Sequence, residues 1–169
     1  MRRFILTLTA IIGFAAAASA QNYAVVNSEK VFKSIDKYNQ AIEQLDQLAN
    51  EYQKQVDAKF EEVEKIYNAY MARRSQLSAA SQAANEENIL KLEQEATEYQ
   101  ESIFGTEGTL MQKRLELIQP IQKEGFAAIE KYAKEQGCDL VLDSASNATM
   151  LYYSDAVNHT EQIIAVLKR

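Results

Sequence analysis

The chain has 169 residues, is 47% hydrophobic and 25% charged, and carries a formal net charge of −6. One cysteine and one histidine exclude an internal disulfide and any metal centre built from several Cys or His ligands. The acidity makes nucleic acid and anionic membrane surfaces poor partners, because no basic run is longer than the pairs Arg73-Arg74 and Lys113-Arg114.

Arg2 and Arg3 open the chain, Phe4 to Ala18 is apolar, and Ala18-Ser19-Ala20 has the small-x-small pattern of a signal peptidase site. An apolar run of about 15 residues is shorter than the ~20 that span a bilayer. Residues 1–20 are therefore expected to be a secretory signal peptide cleaved after Ala20. The mature chain of 149 residues would hold 16 basic and 24 acidic residues, net −8. No later apolar run predicts stable membrane insertion, and no cysteine follows the cleavage site to carry a lipid anchor.

Tyr23-Ala24-Val25-Val26-Asn27 is short and β-branched and predicts a buried strand. Ser28 is the expected N-cap of a helical turn carrying Val31, Phe32 and Ile35. From Tyr38 to Pro120 the apolar residues recur every three or four positions, the pattern of two long amphipathic helices. On the first, Leu45, Ala49, Tyr52, Val56, Phe60, Val63, Tyr67 and Tyr70 recur every ~3.6 residues, which implies a shallow supercoil. Residues 75–88, SQLSAASQAANEEN, are small and polar and predict the tip where the chain reverses. An unbroken helix through this stretch would run ~120 Å at 1.5 Å per residue and bury its stripe only against another chain. On the return helix Ile89, Ala96, Ile103, Leu110 and Leu117 stand seven apart, with Leu92 and Tyr99 as a companion row. Gly105 and Gly108 interrupt this row, either because the facing helix crowds it or as a hinge. Pro120 removes a backbone donor and predicts a kink where arm becomes body.

Beyond it the helix is expected to resume through Phe126, Ile129 and Tyr132 and to end at Gly137. Cys138–Asp143 reads as a strand, with Met150–Tyr153 as its hairpin partner. Thr160 is the expected N-cap of a last helix whose apolar face is Ile163, Ile164 and Leu167. The domain reading is thus a β body from residues 21–36 and 120–169 and a helical hairpin arm from 37–119. Three short strands make a marginal sheet with open edges. Several copies are expected to pool them.

No nucleotide loop, GxSxG or HExxH motif occurs. Cys138 heads an apolar strand, where a buried thiol is inert, and only His159 could activate it. The chain reads as a non-enzyme with no cofactor. Tyr70, Met71, Phe104 and Met111 lie partly off the seam rows, and tyrosine and methionine suit promiscuous contact. They are the candidate binding residues of the arms.

Taken together, AVVNSEKVF, the charged hairpin, IQPIQKEGFAAIEKYAKEQGCDLVLD and the closing YYSDAVNHTEQIIAVLKR resemble the Skp/OmpH family of periplasmic chaperones over essentially the whole mature chain. The resemblance implies an α+β fold: a small β-barrel-like body shared by a homotrimer, with a long antiparallel coiled-coil arm from each chain around a cavity. It implies that Val25, Val26, Leu140, Val141, Leu142, Leu151 and Tyr153 lie in the body and at the trimer contact. It implies a periplasmic, ATP-independent holdase that keeps unfolded outer-membrane β-barrel proteins soluble. The best-known members have basic arms. Residues 37–119 here carry 9 basic and 15 acidic residues, net −6. Capture would then rest on apolar and aromatic contacts, or on clients of different charge. The alternative is a coiled-coil spacer or adaptor that binds a folded cell-envelope partner.

Overall fold

A computed structural model of the chain describes residues 22–146 and 150–168. The expected signal peptide and its cleavage site lie outside them. The chain separates into two compact units, one of Asp36–Ile121 and one built from Met1–Ile35 with Gln122–Arg169.

In the second unit, β1 (Tyr23–Val26) pairs in parallel with β2 (Leu140–Asp143), Tyr23 beside Leu140 and Val26 beside Asp143. Only a two-stranded sheet forms among the described residues. On its far edge β1 makes a single bridge from Val25 to Asn158, and the His159 N–H donates to the Val25 carbonyl at 2.9 Å. Alternation then sends Val26 and Val141 to one face. There they join Val31, Tyr132 and Ile163, with Ile129, Ile164, Val166 and Leu167 packed around them. These come from three helices: α1 (Ser28–Lys33), α4 (Thr109–Gln136) and α5 (Thr160–Leu167).

Asp143 ties the end of β2 to the start of α1. One carboxylate oxygen accepts from the Ser28 N–H at 3.1 Å and the Ala145 N–H at 2.9 Å, the other from the Ser28 and Ser146 hydroxyls at 2.6 and 3.1 Å. Burial works to raise this carboxyl, and the four donors outweigh it and hold it below its ordinary value. α4 ends at Gln136, and Gly137 takes φ +65°. The Gly137 N–H reaches Lys134 and the Cys138 N–H reaches Ala133, a Schellman closure that needs a left-handed residue at that point.

The first unit is a helical hairpin. α2 (Asp36–Arg73) and α3 (Ala79–Phe104) run antiparallel, joined by a 3-10 turn at Arg74–Gln76. Ser78 caps α3 by accepting from the Ser81 N–H. The buried positions of α2 are Ala41, Leu45, Val56, Val63 and Tyr70, and those of α3 are Ile89, Ala96 and Ile103. From Val56 to Tyr70 and from Ile89 to Ile103 the rows step by seven, so the seam over this part of both helices is a heptad.

Several expectations are corrected. Met150–Tyr153 forms no strand, and Leu151 and Tyr152 are 94% and 84% exposed. Phe60 and Tyr67 leave the seam and are exposed, because a 3.6-residue row drifts around a helix whose partner contact repeats every seven. The reversal is confined to residues 74–78, and 79–88 are already helical, as their Ala and Gln content favours. Asn27, not Ser28, caps α1, its side chain accepting from the Lys30 N–H at 2.9 Å. Thr160 starts α5 rather than capping it, and its hydroxyl accepts from the Asn27 N–H. Pro120 lies inside α4, which continues beyond it to Gln136 in line with the expected resumption.

Gly125 in α4 permits the approach of Phe32, whose ring would meet an added Cβ at 2.6 Å and stacks edge-on against Phe126 at 5.2 Å. Gly125→Ala is expected to destabilise this unit by about 1–3 kcal/mol through overpacking. Thermal unfolding followed by near-ultraviolet dichroism checks it, and an unchanged or raised midpoint would show that the contact is slack.

Candidate functional site

The helical seam leaves off-row apolar side chains in water, and these gather at two places on the hairpin. The first is where the return helix breaks. α3 ends at Phe104, and α4 starts at Thr109. A Cβ on Gly105 would collide with the Glu101 carbonyl oxygen, and one on Gly108 would lie 2.5 Å from the Ile103 carbonyl oxygen. Close backbone approach therefore requires both glycines. Beyond the break the seven-residue row loses the seam: Leu110 and Leu117 are half-buried, while Ile118 and Ile121 are buried. The shift opens a groove of about 390 Å³ floored by Leu45, Ala49, Phe104, Leu110 and Met111, with Asp46 and Arg114 at its rim. Phe104 and Met111, two of the four expected binding residues, are 36% and 43% exposed here.

The second place is near the tip. Tyr67, Met71 and Leu90 are exposed and line a shallow depression with Tyr70, Arg74 and Glu86. Met71 is thus accessible, as expected, but belongs to a different surface from Phe104 and Met111. Tyr70 is not accessible. It is 3% exposed, packs with Val63 and Ile89, and spends its hydroxyl on the turn. That hydroxyl donates to Glu86 at 2.6 Å and accepts from Arg74 Nε at 2.9 Å, and Arg74 also reaches Glu86 at 3.2 Å. Desolvation and then the Glu86 hydrogen bond push the tyrosine upward. The Tyr70 hydrogen bond holds the Glu86 carboxyl below its usual range. Gln82 completes the turn by donating to the Arg74 and Leu77 carbonyls. Tyr70 pins the tip, and its heptad spacing from Val63 is the signal that marks it as seam.

Leu90 and Leu115, 66% and 50% exposed, were missed. Leu90 directly follows a seam residue, Ile89, and the step of one to the next face is the signal that would have found it.

In the other unit the sheet presents an uncovered side. Val25 and Val26 are buried, whereas Leu140 and Tyr23 are 53% and 46% exposed. Val141, Leu142 and Tyr153 are half-buried. Asn22, Tyr23, Asp139, Leu140 and Leu142 border a depression of about 470 Å³. The outer edge of β2 pairs with no strand among the described residues.

Cys138 is a half-buried free thiol, and no hydrogen bond joins it to His159 among the described residues. No group of three or more His, Cys, Asp or Glu suited to a metal occurs among the described residues, and none of their helices is long and apolar enough to cross a membrane.

A family model described as outer membrane protein (OmpH-like) matches residues 22–167. No curated protein matches the chain.

Tyr70→Phe is expected to loosen the tip while leaving the rest of the hairpin seam intact, seen as faster amide exchange over residues 74–82 than around Ala96. A lowered carboxyl contributes stability above its unfolded value and loses it as pH falls through the folded one. Tip protection is therefore expected to hold at pH 7 and to decline only below pH 4.5, the ordinary value for Glu86. In Tyr70→Phe that decline should be shallower. An identical pH profile in the two proteins would remove Glu86 from the latch.

Proposed function

The chain belongs to the OmpH-like family, and from that premise we propose that it is an ATP-independent periplasmic holdase that keeps unfolded outer-membrane β-barrel proteins soluble before assembly. The observation that carries the reading is the hairpin itself. Apolar side chains at Tyr67, Met71, Leu90, Phe104 and Met111 stand in water beside a seam already satisfied by its own heptads. Unfolded barrel strands show alternating apolar residues with no fixed shape. A row of separate, adaptable apolar contacts suits them better than one cleft. Each contact is weak, so a client is held by many and released without fuel. Bending at the Gly105–Gly108 break would let the hairpin follow clients of different size.

The body supports a shared, barrel-like sheet in a homotrimer. A parallel pair of four-residue strands is too small to stand alone. The open edge of β2, the half-bare Leu140 and Tyr23, and the solvent-exposed Leu151 and Tyr152 all gain cover if copies pool their strands. Leu142, Val141 and Tyr153 would complete that contact around the buried Val25 and Val26.

Dilution of a urea-unfolded outer-membrane barrel protein into buffer should give a clear solution when the mature chain is present at near-stoichiometric amounts. Deleting residues 56–103 should abolish that protection while the oligomer persists in sedimentation. Leu140→Glu should shift the oligomer to monomer. A precipitating client at threefold excess of the intact chain would refute the holdase reading, and a monomeric wild-type protein would refute the shared body.

A further inference from the structure

The groove at the helix break lies between stretches of net negative charge. These stretches, residues 38–55 and 99–117, hold six acidic and three basic residues. One of the three bases, Lys113, is tied to Glu116 at 2.7 Å. Tyr99, which donates to Gln55 across the hairpin, marks where these two stretches begin to run side by side. At the rim, Asp46 and Arg114 are exposed, and neither side chain makes a hydrogen bond or ion pair with any described residue. The floor is apolar, and Phe104 and Met111 contribute a ring and a flexible thioether.

We propose that this groove is a specific seat for an unfolded segment in which a bulky apolar side chain is flanked by lysine or arginine. The inference rests on the holdase reading and adds to it a place and a sequence preference. The apolar side chain would enter between Phe104 and Met111, where removal from water supplies the favourable term. A neighbouring lysine or arginine would meet the unengaged Asp46 carboxylate within the acidic surround. Arg114 has guanidinium donors free for the carbonyl oxygens of an extended segment, a contact that reads no side chain. The charge term is exposed and so acts mainly on encounter and selection. A segment with acidic flanks meets five unneutralised carboxylates in the same stretches and is disfavoured.

The test uses two labelled unstructured peptides that share a central Leu-Phe and differ only in lysine or glutamate flanks, with binding followed by anisotropy on the full mature protein. The lysine-flanked peptide is expected to bind about tenfold tighter at low salt, with the gap closing near 1 M salt, where the screening length falls to ~3 Å. Met111→Glu should weaken the lysine-flanked peptide about tenfold, the loss expected when ~1.4 kcal/mol of contact is removed. Asp46→Lys should erase the preference, and Phe60→Glu, at an exposed apolar residue of α2 outside the groove, should leave binding unchanged. Circular dichroism and sedimentation confirm that each variant keeps its fold and size. Equal affinity for the two peptides, binding of neither, or equal damage from Phe60→Glu and Met111→Glu would overturn the proposal. Suppression of client aggregation by the same wild-type preparation separates the two readings. If suppression persists without peptide preference, only the groove assignment fails; if suppression is absent, the holdase reading fails with it.

Discussion

The heptad contact between α2 and α3 is the constraint on which the rest of the hairpin depends. Val56, Val63 and Tyr70 meet the row of Ile89, Ala96 and Ile103, and burial of each large side chain contributes roughly 1.5–3 kcal/mol. Ala96 is 1% exposed: a small residue in the middle of the row lets the backbones come close while larger neighbours fill the space on either side. Lys59 over the Tyr99 ring at 4.9 Å and the Tyr70–Arg74–Glu86 cluster add polar clasps at the middle and the tip. Because the seam is complete in one chain, the apolar residues outside it are not needed for folding. They are surplus surface, and surplus apolar surface on a soluble helix invites interaction.

The break at Gly105–Gly108 is where the hairpin changes character. Continuous helix would carry the seven-residue row on through Leu110 and Leu117 and keep the seam closed. Two glycines in close backbone contact reset the phase, so Ile118 and Ile121 become the buried positions and a groove opens on the face the row has left. Acidic stretches lie beside that groove. An acidic arm repels acidic polypeptide and favours cationic segments.

In the other unit, a very small sheet is held by a few well-satisfied polar contacts. Asp143 joins two elements that are far apart in sequence, using four donors to offset its own desolvation. Asn27 caps α1 with its side chain while its N–H reaches Thr160, so one residue links the end of β1 to two helices. These contacts fix the ends of the strands, and the outer edge of β2 pairs with no strand among the described residues. An unpaired parallel edge next to exposed Leu140 is the usual starting point for strand pooling between copies.

Much of this was legible in the residues themselves. The heptad on the return helix, the β-branched start at Tyr23–Val26, the left-handed stop at Gly137 and the apolar face of α5 are local patterns, and local stereochemistry decides them. Family membership followed from the order of those patterns along the chain. The tertiary structure alone decided which tyrosine is accessible. Tyr67 and Tyr70 are three residues apart and chemically identical, yet one faces water and the other pins the turn, because only the partner helix defines where the seam lies. It also decided that Met150–Tyr153 stays out of the sheet, since a local pattern sets strand propensity but not the placement that pairing requires. The junction of Phe104, Met111, Asp46 and Arg114 likewise required the two helices to be placed side by side, for no spacing within one helix encodes a contact with another.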